Sequence, residues 1–196
     1  MLRRPTADLV REYIRKFDDD SNAAAADEAI GLLFKSYPRN EEYTHVLLKA
    51  IAINSLYAAK VMAIVSLAKH ITKRAIDKRL VNGDPNLVHD IACLELANGK
   101  KKRFYSFATK YCHWHNPESY PLYDQYVDWI IRRYNKEYRF GEKFTAEELK
   151  HYERLKAIIE KFREHFGLRD FSFKEIDKFL WRYGKEMKVE AVTPHA

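Results

Sequence analysis

The sequence predicts an all-α protein that folds as one compact multi-helix domain over residues 1–196. Glycine and proline occur only six times each, and no strand-length run alternates apolar and polar residues without also fitting a helix. The length is enough to bury one sizeable core, and no linker-like stretch divides the chain. We therefore expect helices throughout and a single domain.

Local signals mark several helix starts. Thr145 and Ser172 each stand three residues before a glutamate, which is the pattern of a capping box. Asp84 precedes a proline, which suits the first position of a helix. Apolar periodicity then predicts helices over about residues 6–18, 22–36, 41–53, 55–72, 85–97, 104–115, 123–135, 145–165 and 173–187.

Charge, cysteine content and hydropathy limit the function classes. The 35 Lys and Arg residues outnumber the 28 Asp and Glu residues, so the net charge of +7 favours an anionic partner, although many proteins with such a charge bind none. Cys93 and Cys112 are too few for a disulfide framework. Lys49, Asn54 and Lys60 interrupt the longest apolar stretch. We expect a cytoplasmic protein with no transmembrane segment, and a monomer.

Several side chains with metal-ligand chemistry cluster near the middle of the chain. His113 and His115 stand two residues apart on a predicted helix, so they face different directions and do not readily share an ion. Cys112 has apolar neighbours in mid-helix, where a thiol is normally inert packing. We expect ordinary, partly buried side chains here, with no metal and no other cofactor.

Aromatic residues are concentrated between positions 104 and 140, which hold 12 of the 27 in the chain. Most are expected in the core, because Tyr126 and Tyr134 belong to one apolar helical stripe. Trp114, Tyr123 and, in the last predicted helix, Trp181 do not lie on an apolar stripe of this kind. A half-exposed ring near a basic surface can stack on a base, although a contact at the rim between helices is commoner.

A basic run lies between two predicted helices. Most such runs are solvated turns, but backbone N–H groups at the start of the following helix, beside four cationic side chains, can also bind an anion. The candidate anion-binding residues are Asn98, Gly99, Lys100, Lys101, Lys102 and Arg103.

Asp124 falls where a helix is predicted to begin, after a connection bounded by prolines. An N-cap is the simple explanation of an aspartate there. The position also has a chemical use, because the helix dipole holds the carboxylate ionised, and an ionised carboxylate can stabilise an oxocarbenium-like sugar cation or orient a water.

The order of helix, basic turn, helix, proline and aspartate resembles the helix-hairpin-helix DNA glycosylase superfamily. "YPLYDQYV" is similar to its Pro-Val-Asp step, with one extra residue between Pro121 and Asp124. "AINSLYAAKVMAIVSLAKHI" resembles a helix of 8-oxoguanine glycosylase-like members that begins with asparagine, here Asn54. "SFATKYCHWHNP" and "IDKFLWRYGKE" resemble uncharacterised bacterial proteins grouped near those glycosylases. The resemblance covers roughly residues 45–135 and the final helix.

The resemblance implies a glycosylase-like core over about residues 41–135, with helices 145–187 packed onto it. It implies excision of a flipped, damaged base from duplex DNA, with Asp124 stabilising the sugar cation. Lys102 is the lysine nearest the hairpin position of a Schiff-base nucleophile, and Lys110 is the alternative; if neither reacts, water attacks instead. The implied base pocket is Asn54, Trp114, Tyr123 and Trp181. The other class that stays open is a non-catalytic nucleic-acid-binding or protein-interaction module on the same scaffold.

Overall fold

A computed structural model of the protein describes residues 1–192, and of Val192 only the backbone. The described residues are mostly helical, which confirms the predicted all-α class. The helices are α1 (Ala7–Asp18), α2 (Ser21–Ser36), α3 (Tyr43–Leu56), α4 (Ile64–Thr72), α5 (Asp77–Val81), α6 (Asn86–Ala92), α7 (Tyr105–His115), α8 (Gln125–Tyr138), α9 (Tyr152–His165) and α10 (Phe173–Val192). Two short strands, β1 (Cys93–Glu95) and β2 (Lys101–Arg103), lie between α6 and α7.

The chain divides into two compact units. The first comprises Met1–Ala24 and the chain from Pro121 onward, and the second comprises Ala25–Tyr120. The boundary between residues 24 and 25 falls inside α2, so this helix contributes to both units. The predicted single domain stays a prediction, because compactness alone does not tell whether either unit folds independently.

The first unit is built on an aromatic core. Helices α1 and α8 both pack against α10. The ring of Tyr134 lies among those of Phe162, Phe179 and Tyr183, with centroids 5.4 to 6.4 Å away. A Cβ added at Gly184 of α10 would lie 3.0 Å from a backbone oxygen of α8, so a glycine permits this close helix approach.

The second unit packs α3 against α4 and α7, and α6 against α7. The inward positions of these helices recur at helical spacing and carry aliphatic and aromatic side chains, which form the core of this unit. Fully or almost fully buried members are Val46, Ala50, Ile53, Leu67, Ile71, Leu87, Ile91, Phe107 and Tyr111. In residues 1–192, no helix combines the length and apolar composition needed to cross a membrane.

The predicted helix over residues 85–97 is wrong in its last part. Helix α6 ends at Ala92, and Cys93–Glu95 pairs with Lys101–Arg103 in an antiparallel hairpin. Asn98 and Gly99 form its turn: the Asn98 side chain accepts from the Lys100 backbone N–H at 3.1 Å, and Gly99 has φ +76°. An Asn-Gly pair is a strong hairpin signal, and it outweighed the helical pattern of the preceding residues.

The predicted helix break near Asn54 lies later in the chain. Helix α3 continues to Leu56, and α4 begins only at Ile64. Ala58 and Lys60 in the connection both have positive φ, a conformation that a helix cannot contain. The short helix α5 had no predicted counterpart, because five residues are too few to produce a periodic pattern.

Both capping boxes are confirmed. The Thr145 and Ser172 hydroxyls accept from the backbone N–H of Glu148 and Glu175, and each glutamate accepts from the backbone N–H of its cap residue. Thr145, however, opens only a three-residue 3₁₀ turn, and α9 starts after the extended residue His151, so the predicted continuous helix 145–165 is wrong.

Candidate functional site

Asp124 is the N-cap of α8, as its sequence position predicts. One carboxylate oxygen, Oδ1, accepts from the backbone N–H groups of Tyr126 and Val127 at 2.8 and 2.9 Å. The other oxygen, Oδ2, accepts no hydrogen bond from the residues that the structure describes. Asp124 is half-buried. The side chain is thus fixed in direction by one oxygen while the other keeps its lone pairs for a cation or a water.

Tyr123 and Trp181 lie in the same unit as Asp124. The Trp181 ring contacts Phe17 and Tyr126, with centroids 5.6 and 6.1 Å away, and the backbone of Tyr126 is itself bound by Asp124. Burial, together with the nearby carboxylate of Asp128, raises the pKa of Tyr123 to about 12. Trp181 therefore packs at a rim between helices, as the commoner alternative predicted.

Lys110 and Trp114 lie one turn apart on α7 and both contact Tyr57. The Trp114 indole N–H donates to the Tyr57 hydroxyl at 3.0 Å, and the Lys110 ammonium lies 5.4 Å from the centre of the Tyr57 ring. Lys110 is almost fully buried, and its Nζ donates to the Ser106 hydroxyl at 2.6 Å. No sequence pattern predicts the contacts of Tyr57 and Ser106, because these contacts depend on the packing of α7.

Asn54 holds the connection between α3 and α4. Its side-chain oxygen accepts from the backbone N–H of Val61 at 2.8 Å, and its amide nitrogen donates to the carbonyl of Val61 at 3.2 Å. Both ends of the amide are therefore occupied by one residue of the chain. This contact also helps to hold the positive-φ backbone of Ala58 and Lys60.

The basic run forms an exposed ribbon. Lys101 and Lys102 lie on β2, opposite Glu95 and Leu94 of β1, and their side chains are exposed. The guanidinium of Arg103 lies 5.0 Å from the centre of the Tyr105 ring. The cations are thus carried by a strand and a turn rather than by the start of a helix, which corrects the predicted environment of this segment.

The second unit also contains a buried polar cluster that the sequence patterns do not predict. Lys49 of α3 is fully buried, and its ammonium donates to the carbonyls of Tyr37 and Arg39 and to the amide oxygen of Asn40, at 2.8 to 2.9 Å. Burial lowers the pKa of Lys49 to about 8, and the charge of Asp77 opposes this shift. The available signal was a single lysine in an otherwise apolar helix, which must find acceptors when buried.

The Asn40 side chain connects this cluster to α5 and α7. Its amide nitrogen donates to Asp77, and its oxygen also accepts from the Tyr111 hydroxyl, both at 2.5 Å. His115 Nε2 lies 3.1 Å from the same oxygen and 3.3 Å from Lys49 Nζ, and a neutral imidazole nitrogen can serve only one of these contacts. Burial, reinforced by the Lys49 charge, lowers the pKa of His115 to about 3. The cluster anchors the connection between α2 and α3.

Other groups with potential chemistry are packed away. Cys112 is fully buried, and burial raises the pKa of its thiol well above the usual range. The Nδ1 atom of buried His113 lies 2.7 Å from the Tyr120 carbonyl oxygen. Within residues 1–192, no group of three or more His, Cys, Asp or Glu side chains is arranged to hold a metal ion.

The predicted site residues thus form two groups. Asp124, Tyr123 and Trp181 belong to the first unit, whereas the second unit carries the other residues. Within the second unit, Lys110 and Trp114 meet at Tyr57, while Lys102 lies on the hairpin. The residues of the second unit are Asn54, Asn98, Gly99, Lys100, Lys101, Lys102, Arg103, Lys110 and Trp114.

The fold and these side chains define a helical protein of two compact units with an exposed basic hairpin. Residues 9–119 match the family described as HI_0787_N, N-terminal domain. A protein of Haemophilus influenzae, described as "Uncharacterized protein", is 36% identical over 186 residues, which cover 91% of this chain and 89% of that protein. The chain therefore belongs to the HI_0787_N family. No solved structure matches it significantly.

Proposed function

We propose that this protein is a DNA base-excision glycosylase related to the helix-hairpin-helix superfamily, and that Asp124 is its essential carboxylate. The observation that carries the proposal is the geometry of Asp124. A helix N-terminus holds the side chain through Oδ1, and Oδ2 is left for the reaction. The preceding segment, from Pro121 to Asp124, is the part of the sequence that most resembles the superfamily.

In this mechanism the nucleotide leaves the base stack before the bond between base and sugar breaks. The departing base takes the bonding electrons, and positive charge develops on the sugar. The carboxylate of Asp124 stabilises that charge and can orient the water that attacks C1′. The backbone N–H groups of Tyr126 and Val127 hold that carboxylate in place at the start of α8.

The proposal rests on Asp124 and a water, and borohydride trapping tests separately whether a lysine attacks C1′ and forms a Schiff base. The two candidate lysines differ in exposure. Lys102 is exposed on β2, whereas Lys110 is almost fully buried beside Ser106 and Tyr57. Without an attacking amine, the product is an abasic site formed by water.

The basic hairpin supports DNA as the partner. Its exposed side chains at Lys100, Lys101 and Lys102 are free of neighbouring carboxylates at ion-pair distance within residues 1–192, and the net charge of +7 acts in the same direction. A two-stranded ribbon is narrow enough to enter a DNA groove or to follow its phosphates. The hairpin also favours the second candidate function, which is nucleic-acid binding without chemistry.

The test is excision from duplexes that carry 8-oxoguanine, uracil, an alkylated purine or an abasic site. Borohydride traps a Schiff base, and alkali reveals an abasic product. Asp124→Asn should abolish excision and leave DNA binding nearly unchanged, because asparagine also caps helices well and keeps α8 intact. If a lysine forms the Schiff base, trapping should be lost in the Lys110→Gln or the Lys102→Gln protein, and the variant that loses it identifies the nucleophile.

The possible outcomes separate the candidates. Alkali-labile product without a trapped adduct would indicate a glycosylase that uses water. Full activity of the Asp124→Asn protein would rule out the proposed role of this carboxylate. Absence of product from every duplex, together with binding that weakens steeply with salt, would leave the non-catalytic nucleic-acid-binding module.

A further inference from the structure

Helix α10 carries basic and aromatic side chains along one of its sides. Lys178, Trp181, Lys185 and Lys188 are spaced by three, four and three positions, so they lie on the same side of the helix. All four side chains are partly exposed. They belong to the first unit, as do α1 and α8, which pack against α10. We call these four residues the α10 row.

Each lysine of the α10 row lies beside an aromatic ring. The distances from ammonium to ring centre are 4.8 to 5.5 Å, for Lys178 and Phe17, Lys185 and Trp181, and Lys188 and Tyr126. The rings also contact one another, because the centroid of the Trp181 ring lies 5.6 Å from that of Phe17 and 6.1 Å from that of Tyr126. All three rings are partly exposed. Cations and rings therefore form one continuous surface on α1, α8 and α10.

Two lysines of the α10 row keep their charge for an outside anion. The first lysine of the row pairs with a carboxylate at the end of α1, but within residues 1–192 no carboxylate lies at ion-pair distance from Lys185 or Lys188. Lys188 donates at 3.4 Å to the side chain of Gln125, which is neutral. Gln125 begins α8 and directly follows Asp124. The unpaired lysines thus lead toward the start of the helix that Asp124 caps.

We propose that the α10 row binds an unpaired nucleic-acid strand, with phosphates at Lys185 and Lys188 and bases against the rings of Trp181 and Tyr126. Proteins that bind single strands combine cations for the phosphates with aromatic rings on which the bases stack. The inference rests on nucleic acid being the partner in the proposed function, and it adds where an unpaired segment lies. It does not depend on catalysis by Asp124.

Other anionic partners fit this surface less well. A helix that lies on a membrane inserts its apolar face, but the apolar face of α10 packs against α1 and α8. Among the described residues of α10, Val189 is the one large apolar side chain that is strongly exposed. A free phosphate or an acidic peptide would engage the ammonium groups and leave the rings unused. A nucleic-acid strand offers a charge and a planar base at every nucleotide, so it engages both.

Titration with a fluorescein-labelled oligothymidylate at several salt concentrations tests the phosphate contacts. The double variant Lys185→Gln, Lys188→Gln should bind about tenfold more weakly, and the slope of log K against log salt should fall by about 1.4, since each phosphate contact to a single strand contributes about 0.7. The matched control is Lys136→Gln, Lys143→Gln, which removes two exposed lysines of the same unit and gives the same net charge. It should keep nearly the wild-type affinity and slope. Equal weakening of the two double variants would show that only net charge matters and would overturn the proposal.

The contact between bases and rings is tested with Trp181 as the reporter. The Trp114→Phe, Trp129→Phe protein keeps Trp181 as its single tryptophan. Oligothymidylate should quench its emission, whereas a strand of equal length made of the stable tetrahydrofuran abasic analogue should bind about fivefold or more weakly and leave the emission unchanged, because it has no base to stack. Equal affinity for the two strands would contradict the base contact. Tighter binding to phosphatidylserine vesicles than to oligothymidylate would assign the surface to a membrane instead.

These outcomes are distinct from those of the excision assay. Absence of excision from every duplex, with strand binding that still depends on Lys185 and Lys188, would remove the proposed catalysis and leave this inference standing. Excision at the wild-type rate by the Lys185→Gln, Lys188→Gln protein, together with unchanged strand binding, would remove this inference alone.

Discussion

Lys49 is buried among acceptors that carry no charge. Two backbone carbonyls and the amide oxygen of Asn40 replace the water that would surround an exposed ammonium. These dipoles stabilise the charge less well than water does, so burial lowers the pKa of Lys49 to about 8. The residue anchors the connection between α2 and α3. Its burial lowers the free energy of unfolding at any pH at which its ammonium stays protonated.

This pKa predicts a specific pH dependence of stability. Between pH 8 and the ordinary lysine pKa of 10.5, the unfolded chain holds the Lys49 proton more tightly than the folded chain does. The free energy of unfolding should therefore gain from Lys49 as pH rises through this range, by up to about 1.4 kcal/mol per pH unit. Lys49→Met should lack this gain in urea titrations at pH 7.5 to 9.5.

The comparison between variants isolates the effect from other groups that titrate at high pH. Buried tyrosines such as Tyr13 and Tyr134 have raised pKa values, so they lower stability as pH rises past 10 in both proteins. Lys78→Met, at an exposed lysine of α5, is the control and should keep the wild-type pH dependence. Parallel curves for the wild-type and Lys49→Met proteins would contradict the low pKa.

Asp124 and Asn54 illustrate how much of the candidate site was predictable. The position of Asp124 as a cap follows from bonds to the second and third residues after it, which the local sequence determines. The resemblance implies that Asn54 borders a base pocket, but its amide binds the backbone of Val61, seven residues later. That bond depends on the path of the connection, which the local sequence does not specify.

At the scale of elements, the two capping boxes have the same geometry but open different structures. Ser172 and Glu175 start α10, a helix of 20 residues, whereas Thr145 and Glu148 start a 3₁₀ turn of three residues. A cap contributes to stability through the helix that it allows to form, and α10 packs against both α1 and α8. The two boxes should therefore differ in importance.

We expect Ser172→Ala to lower the free energy of unfolding by about 1 kcal/mol or more, which is typical of an N-cap. Thr145→Ala, the matched substitution, should have a clearly smaller effect because its turn is short and exposed. Urea unfolding of both variants measures the difference. Equal losses would mean that the 3₁₀ turn is as important to the fold as the start of α10.

The hairpin was the element that sequence periodicity missed. Three-residue strands are shorter than any window in which alternation differs from helical spacing, so the sequence pattern predicts β1 as the end of a helix. The Asn-Gly turn was visible in the sequence, but its partner strands were not. Pairing of Leu94 with Lys102 is a contact between segments, and it therefore becomes visible only in the fold.

At the scale of the whole molecule, the three tryptophans report on both units. Trp114 belongs to the second unit, and Trp129 and Trp181 belong to the first. The boundary within α2 means that unfolding either part affects a shared helix. If the chain is one domain, as its sequence predicts, every tryptophan should report the same cooperative transition.

This expectation can be tested by fluorescence during urea unfolding. A protein with Trp114 alone, made by Trp129→Phe and Trp181→Phe, is compared with the Trp114→Phe protein. In each variant, the fluorescence midpoint is compared with the midpoint from far-UV circular dichroism. Coincidence of the two midpoints in both variants would support a single domain. Two separate midpoints in one variant, one for fluorescence and one for circular dichroism, would indicate two folding units.

The helical class and the local caps of this protein follow from its sequence. Composition excludes extensive sheet, and a cap joins residues two or three positions apart, so both are properties of short segments. Three other features follow from the packing of the helices. Lys49 and Lys110 are buried, Asn54 binds the connection after its own helix, and Lys101, Lys102 and Arg103 lie on a strand. These features depend on contacts between distant segments, whose geometry arises when the helices pack.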